Sequence, residues 1–224
     1  MPISRLKSVR RWLDGALLVV CPALCFAPVR ACAQQAQDSD TPALERLAWM
    51  AKNQRGMWNV DANEGAFLRD LVVKVKAKRA LEIGTSNGYS SIWIALGLRE
   101  TGGHLTTLEI DAGRVRLAQE NFRAADMESL ITLRHGDALK EIPKLPGPFE
   151  FVFIDAWKHD NIKYLEMVLP MVPPGGVIVA HNVINERWEM EDFIERVRMD
   201  PQFKTTFANP GPGGFSVSVK LPRR

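Results

Sequence analysis

The sequence predicts an α/β fold, a doubly wound and mostly parallel sheet of seven strands that closes with an antiparallel hairpin. From residue 79 onward, short apolar runs alternate with longer segments of helical periodicity. Polar residues directly follow several of the apolar runs, as they do where parallel strands end beside a ligand. The last two runs flank the glycine-rich turn 210–214, which is typical of a hairpin.

Each element follows from hydrophobic spacing and from turn residues. Two helices precede the sheet, because apolar side chains recur at helical spacing over 41–55 and 65–76. Five strands come next, and each is followed by a helix. The strands are predicted over 79–84, 105–110, 131–135, 149–155 and 177–181. The helices that follow them are predicted over 89–98, 112–125, 138–142, 161–171 and 189–199. The closing strands are predicted over 203–207 and 215–219.

The first 33 residues have the pattern of a secretory signal peptide. A basic start is followed by an apolar stretch over 15–29 that is too short to span a bilayer, and Ala31-Cys32-Ala33 offers a cleavage site. We therefore expect a signal peptide over 1–33, a polar linker over 34–40 and one catalytic domain over 41–224. The mature chain would be exported, periplasmic or secreted, without a stable membrane anchor. The pair Arg10-Arg11 leaves both the Sec and the twin-arginine route open.

Removing this segment changes the charge and the cysteine count. The whole chain carries 29 Lys and Arg against 26 Asp and Glu, but residues 1–33 hold five of the basic and one of the acidic residues, so the rest has 24 against 25. The basic character gives no reason to expect nucleic-acid binding. All three cysteines lie in the removed segment, which excludes a disulfide, a thiolate metal site and a cysteine nucleophile from the mature chain.

Residues 80–91 form the clearest ligand-binding pattern. An apolar run ends near Glu82, and Gly84 and Gly88 lead into a helix, so the backbone can approach a ligand at the helix N-terminus. Ser86 replaces the middle glycine of the dinucleotide fingerprint, which argues against a nucleotide-dependent oxidoreductase. The string E-x-G-x-x-x-G instead resembles motif I of the class I S-adenosylmethionine (SAM) methyltransferases.

A second acid is placed to bind the ribose of an adenosine cofactor. Glu109 ends the next predicted strand, 25 residues after Gly84. An acid at this position accepts hydrogen bonds from ribose hydroxyls. Enzymes that use NAD share this feature, so Glu109 supports an adenosine cofactor in general.

The segment that most strongly indicates catalytic residues follows the fourth predicted strand. Asp155 and Lys158 come there directly after an apolar run that reads as a buried strand. From Trp58 to Asn182 the chain resembles the catechol and caffeoyl-CoA type O-methyltransferases. The resemblance rests on six segments: Asn59-Val60 with Gly65, 82–90, Leu108-Glu109, 136–138, 155–158 and 180–183.

This resemblance implies a role for each matching residue. The cofactor would be SAM. Glu109 would hold its ribose, and Asp137 and Ala138 would border its adenine. The other residues expected to bind SAM are Val60, Glu82, Gly84, Gly88, Ser90 and Trp157. Lys158 would take the proton from the acceptor hydroxyl, and Trp58 would pack on the acceptor ring. Asp155, His181 and Asn182 would be the ligands of a divalent cation, and Asp155 and His181 join Lys158 as the catalytic residues.

Two differences from the family pattern bear on the choice of metal and of methyl acceptor. His181 stands where the family has a second aspartate, and imidazole suits Mn²⁺ or another borderline metal better than Mg²⁺. His181 is alternatively a general base that works without metal. No Asp or Glu follows Asp200, so the carboxylate that orients a second catechol hydroxyl is missing. The expected acceptor is therefore a small molecule with a hydroxyl, most simply an aromatic one.

Another class of function stays open. SAM is made in the cytosol, so an exported chain with this fold is alternatively a SAM-binding protein without turnover. Asp155 and Lys158 favour the enzyme, because a binding protein does not need them. A homodimer is the assembly to test.

Overall fold

The structure is a computed structural model that describes the backbone of residues 29–222 and the side chains of residues 40–222. The helices are α1 Val29–Asn53, α2 Ala62–Lys74, α3 Tyr89–Thr101, α4 Ala112–Ala124, α5 Ala138–Glu141, α6 Asn161–Val168 and α7 Glu191–Met199. The strands are β1 Arg79–Ile83, β2 His104–Glu109, β3 Ile131–His135, β4 Phe151–Ile154, β5 Val177–His181, β6 Phe203–Ala208 and β7 Phe215–Lys220.

The seven strands form one sheet in the order β3-β2-β1-β4-β5-β7-β6. The first five are parallel, and β7 pairs antiparallel with both β5 and β6. The predicted doubly wound sheet with its closing hairpin is confirmed. The last strand of the chain is inserted beside β5, so the turn before it reaches the edge at which β5 ends.

Helices cover both faces of the sheet because successive strand side chains point to opposite sides. Phe151 and Phe153 of β4 join a core cluster with Leu68 of α2 and Ile92 of α3. The intervening Val152 and Ile154 join a second cluster that contains Leu165 of α6 and Phe193 of α7. This burial on both faces explains why the central strands read as continuous apolar runs.

The start of α2 differs from the prediction. The helix begins at Ala62, three residues before the predicted start, because Asp61 accepts a hydrogen bond from the Glu64 backbone N–H and the Glu64 side chain accepts one from the Asp61 N–H. This reciprocal capping box satisfies two N–H groups that the helix itself leaves unpaired. It also fixes the Glu64 side chain at the beginning of the helix.

The first described helix is longer than expected. α1 begins at Val29, so the segment 34–40, predicted as a polar linker, is helical. Its alanine and glutamine residues are good helix formers. Residues 1–28 of the predicted signal peptide lie outside the described residues. Among the helices that the structure does describe, none is both long and apolar enough to cross a membrane.

Candidate active site

The predicted site residues converge at one edge of the sheet. Parallel register aligns Ile83 at the end of β1 with Leu108 of β2 and Ile154 of β4. Ile154 in turn aligns with Ala180 of β5. The residues that follow these positions, including Glu109, Asp155 and His181, therefore emerge together, as expected for ligand sites of parallel sheets.

The two motif glycines are required by close packing at this edge. Gly84 has φ +98°, and a Cβ there would meet the carbonyl oxygen of Asp155. Gly88 has φ +86° at the start of α3, and a Cβ there would meet the Phe122 ring. The turn thus needs glycine for backbone conformation and for its neighbours, which keeps the N-terminus of α3 next to Asp155.

Glu109 is held in place by the turn that follows β1. One carboxylate oxygen accepts from the Ser86 backbone N–H at 2.7 Å, and the other accepts from the Asp111 N–H at 2.9 Å. Each oxygen retains a second lone pair for a ribose hydroxyl. The acid predicted as the ribose acceptor is therefore attached to the glycine turn, which makes the two halves of the cofactor site one rigid unit.

Glu82 lies beneath the turn and has no exposed surface. Its carboxylate accepts hydrogen bonds from Ser90, Ser91 and Thr107, with 2.6 Å between the Ser90 hydroxyl and Glu82 Oε1. Burial raises the pKa of Glu82 to about 7, against the effect of the three hydroxyls. The enclosed Glu82 side chain fixes the first turn of α3 through these bonds, and its predicted part in cofactor binding stays a prediction.

The other residues predicted to bind the cofactor or the acceptor differ in how accessible they are to a ligand. Val60 is only 3% exposed and belongs to the core, so only its backbone is available to a ligand. Asp137 accepts from the Leu139 N–H at 3.0 Å and thereby caps α5, which begins with Ala138. Trp157 is 64% exposed and Trp58 is 81% exposed, so both rings are accessible to a ligand.

A row of four charged side chains occupies the ends of β4 and β5. Lys158 Nζ lies 2.7 Å from Asp155 Oδ1, and Asp155 Oδ2 lies 3.3 Å from His181 Nδ1. On the far side of the ring, His181 Nε2 lies 3.1 Å from Glu64 Oε2. That last contact lacks hydrogen-bond alignment, so it acts through charge. The structure brings together all three predicted catalytic residues and adds Glu64, which the sequence did not predict.

Glu64 connects this row to the closing hairpin. Its Oε1 accepts from the backbone N–H groups of Gly213 and Gly214 at 2.9 and 3.1 Å, and its Oε2 accepts from the Asp61 N–H at 3.0 Å. Burial alone would raise the pKa of Glu64, but His181 and the backbone N–H groups lower it to about 2. The only sequence signal for Glu64 was the capping pattern D-x-x-E, which predicts a helix start and no site.

The charges in the row stabilise one another. Burial would raise the pKa of Asp155, but Lys158 and His181 hold it well below its usual range. Burial would lower the pKa of His181, but Asp155 and Glu64 raise it to about 9. The two carboxyl groups are thereby held in their ionised form at neutral pH.

These contacts do not fit the predicted divalent cation. Both oxygens of Asp155 face cationic groups, and both nitrogens of His181 face carboxylates. The Asn182 amide, at φ +63°, donates to Asn185 Oδ1 at 3.1 Å. Across the part of the chain that the structure describes, no three His, Cys, Asp or Glu side chains converge on a point that could hold a metal ion.

The sheet order, the glycine turn and the acid at the end of β2 are those of a class I SAM-dependent methyltransferase. A sequence model of the family described as O-methyltransferase matches residues 34–201. The chain therefore belongs to the O-methyltransferase family, a class of SAM-dependent enzymes.

Individual relatives agree with this assignment. The chain is 36% identical to a catechol O-methyltransferase of Mycobacterium tuberculosis over 79% of its length and 71% of the relative's. It is 40% identical to one of Niastella koreensis over 57% of its length, but this spans only 59% of the relative. An O-methyltransferase structure from Bacillus cereus in complex with SAH has a TM-score of 0.72 and 31% identity, covering 85% of this chain and 97% of that one.

Proposed function

We propose that the chain transfers a methyl group from SAM to the hydroxyl of a small aromatic acceptor. The observation that carries the proposal is the buried Lys158–Asp155 pair, 2.7 Å apart, at the sheet edge that also holds the glycine turn. A protein that only bound SAM would not need such a pair. The exposed ring of Trp58 favours an aromatic acceptor, because it offers a flat apolar surface on which such a ring can pack.

The reaction is an in-line displacement at the sulfonium of SAM, in which the acceptor oxygen bonds the methyl group and the sulfur leaves as a neutral thioether. The protein must align the oxygen, the methyl and the sulfur, and it must make the oxygen nucleophilic. In its amine form Lys158 takes the hydroxyl proton, and in its ammonium form it stabilises the phenolate. Asp155 fixes the position of Lys158 Nζ.

The test is a turnover screen of the mature chain with SAM and a panel of phenolic acceptors, repeated with Lys158→Met. We expect the substitution to lower kcat by about 100-fold or more, the usual range for a proton-transfer group, with SAM binding unchanged. Lys163→Met is the matched control, because Lys163 forms an i,i+3 pair with Asp160 at the same 2.7 Å but is 61% exposed. Full activity of Lys158→Met would refute the role of Lys158, and SAM binding without any turnover would favour a binding protein.

Metal assistance stays a prediction from the resemblance. If Asp155, His181 and Asn182 were to bind a cation, Mn²⁺ or another borderline metal would support activity better than Mg²⁺. Because the donor contacts described above do not fit such an ion, no step of the proposed reaction depends on one. Activity measured before and after exhaustive chelation tests the prediction.

We also propose that the chain is exported and cut after Ala33. The basic start, the short apolar stretch and the cleavage pattern support this, and the family match begins at residue 34. The intact mass of the protein from its native host would show a mature start at Gln34, whereas a start at Met1 would refute export. The homodimer stays a prediction that light scattering on the mature chain would check.

A further inference from the structure

The buried row alternates in charge along its whole length. Lys158, Asp155, His181 and Glu64 follow one another with contacts of 2.7, 3.3 and 3.1 Å. The outer members Lys158 and Glu64 have side chains that are 9% and 1% exposed. Each Asp155 oxygen already faces a nitrogen of a basic side chain, so neither oxygen is free for a further ion.

The surroundings hold the His181 ring in one orientation. The Phe215 ring lies 5.0 Å from it between centroids, and the Phe153 ring lies 6.4 Å from it. Gly213 packs so closely on the ring edge that an added Cβ would collide with Nε2. Each ring nitrogen has a carboxylate oxygen within 3.3 Å, so neither is free to bind a metal ion unless that carboxylate is displaced.

We infer that the His181 ring, held between Asp155 and Glu64, occupies the place that the family resemblance assigns to a divalent cation, and that the residues present do not fit such a cation. Glu64 is then the positioning residue that keeps this ring in place. The inference rests on the proposed function, and it implies that methyl transfer by this chain needs no divalent metal. A cation added to the row would have to displace Lys158 or His181 from the Asp155 oxygens, which disfavours its binding.

Calorimetry of the chelator-treated mature chain, with SAH bound, tests the inference directly. We expect no binding of Mn²⁺ or Mg²⁺ at millimolar concentrations, and a turnover rate that changes by less than about twofold when either metal or a chelator is added. Binding of one equivalent of Mn²⁺ together with loss of activity on chelation would overturn the inference and leave the proposed function intact. If no acceptor is methylated under any condition, the proposed function fails, while the calorimetry still decides the inference.

A charge-converting variant makes the test sharper. His181→Asp removes the imidazole that faces Asp155 and adds a carboxylate in its place, so it should bind Mn²⁺ at least about tenfold more tightly than the unaltered chain. His104→Asp is the matched control: His104 is exposed, contacts Thr132 at 2.8 Å and lies at the opposite end of the strands, so this change should add no metal site. Equal metal binding by His181→Asp and the control would count against the inference. If His181→Asp does not fold, the measurement on the unaltered chain decides alone.

Glu64→Gln tests the positioning role. Glutamine keeps an oxygen for the N–H groups of Gly213 and Gly214 but removes the charge that faces His181. We expect kcat to fall by about tenfold while the KM for SAM stays within about twofold, the division expected when only transition-state stabilisation is lost. The imidazole ¹⁵N signals of His181 should shift in Glu64→Gln relative to the unaltered chain, because the carboxylate that faces Nε2 is lost. An unchanged spectrum and an unchanged kcat would overturn the role of Glu64.

Discussion

Replacing Glu64 by alanine should destabilise the protein more than any other single change at the site. The substitution removes the acceptor for the buried N–H groups of Gly213 and Gly214 and the anion that faces His181. A buried donor without a partner costs about 1–3 kcal/mol, and breaking a buried ion pair costs about 3–5 kcal/mol. These contributions overlap because they share one carboxylate. We therefore expect the free energy of unfolding to fall by about 4 kcal/mol.

The assay is urea denaturation of the mature chain at neutral pH, followed by far-ultraviolet circular dichroism. Glu64→Gln keeps an acceptor for the loop and should lose only about 1–2 kcal/mol of the free energy of unfolding. Glu120→Ala is the control, since Glu120 is an exposed residue of α4, and its effect should stay within about 0.5 kcal/mol. A loss below about 1 kcal/mol for Glu64→Ala would refute the reasoning that this carboxylate organises the loop and the site.

Three further predictions concern the cofactor side of the site. Glu109→Ala removes the carboxylate expected to accept hydrogen bonds from the ribose, and it should weaken SAM binding by about 1.5–3 kcal/mol in calorimetry. Unchanged affinity would refute the assignment of Glu109 to the ribose. The raised pKa of Glu82, about 7 against an ordinary 4.5, gives stability that is present below about pH 4.5 and lost as the pH rises through 7. Glu82→Gln should remove that pH dependence, on the order of 3 kcal/mol, and an equal change in unfolding free energy for both proteins between about pH 5 and about pH 8 would contradict it. Gly88→Ala combines backbone strain with a collision on Phe122 and should cost more unfolding free energy than Gly56→Ala, which meets no atom within 4 Å; equal costs would exclude the packing role.

Much of the fold could be predicted from periodicity. The bounds of β3 and β5 agree with the prediction, because each is a short run of strand-forming residues set off by a clear turn. The convergence of Asp155 and His181 followed from the rule that parallel strands end at one edge. Each of these inferences used only local sequence and the connectivity of the sheet.

The missed features depend on contacts between distant residues. Glu64 and Gly213 are 149 residues apart, and no local pattern indicates that a helix-capping glutamate also binds a hairpin turn. Glu82 is enclosed by three hydroxyls, a packing that its position in the glycine motif did not indicate. Side-chain enclosure of this kind depends on tertiary packing, which the motif alone does not specify.

The bonds from Glu64 to the final turn have a consequence for the time course of folding. Contacts between residues so far apart form late, since a long loop must close before they can be made. The turn reaches Glu64 only after β7, the last strand of the chain, has been inserted between β5 and β6. A nascent or shortened chain that ends before this strand would contain the glycine turn and Glu109. Its Glu64, however, would not yet be held by the final turn. The proposed methyl transfer should therefore become possible only after β7 has been inserted into the sheet.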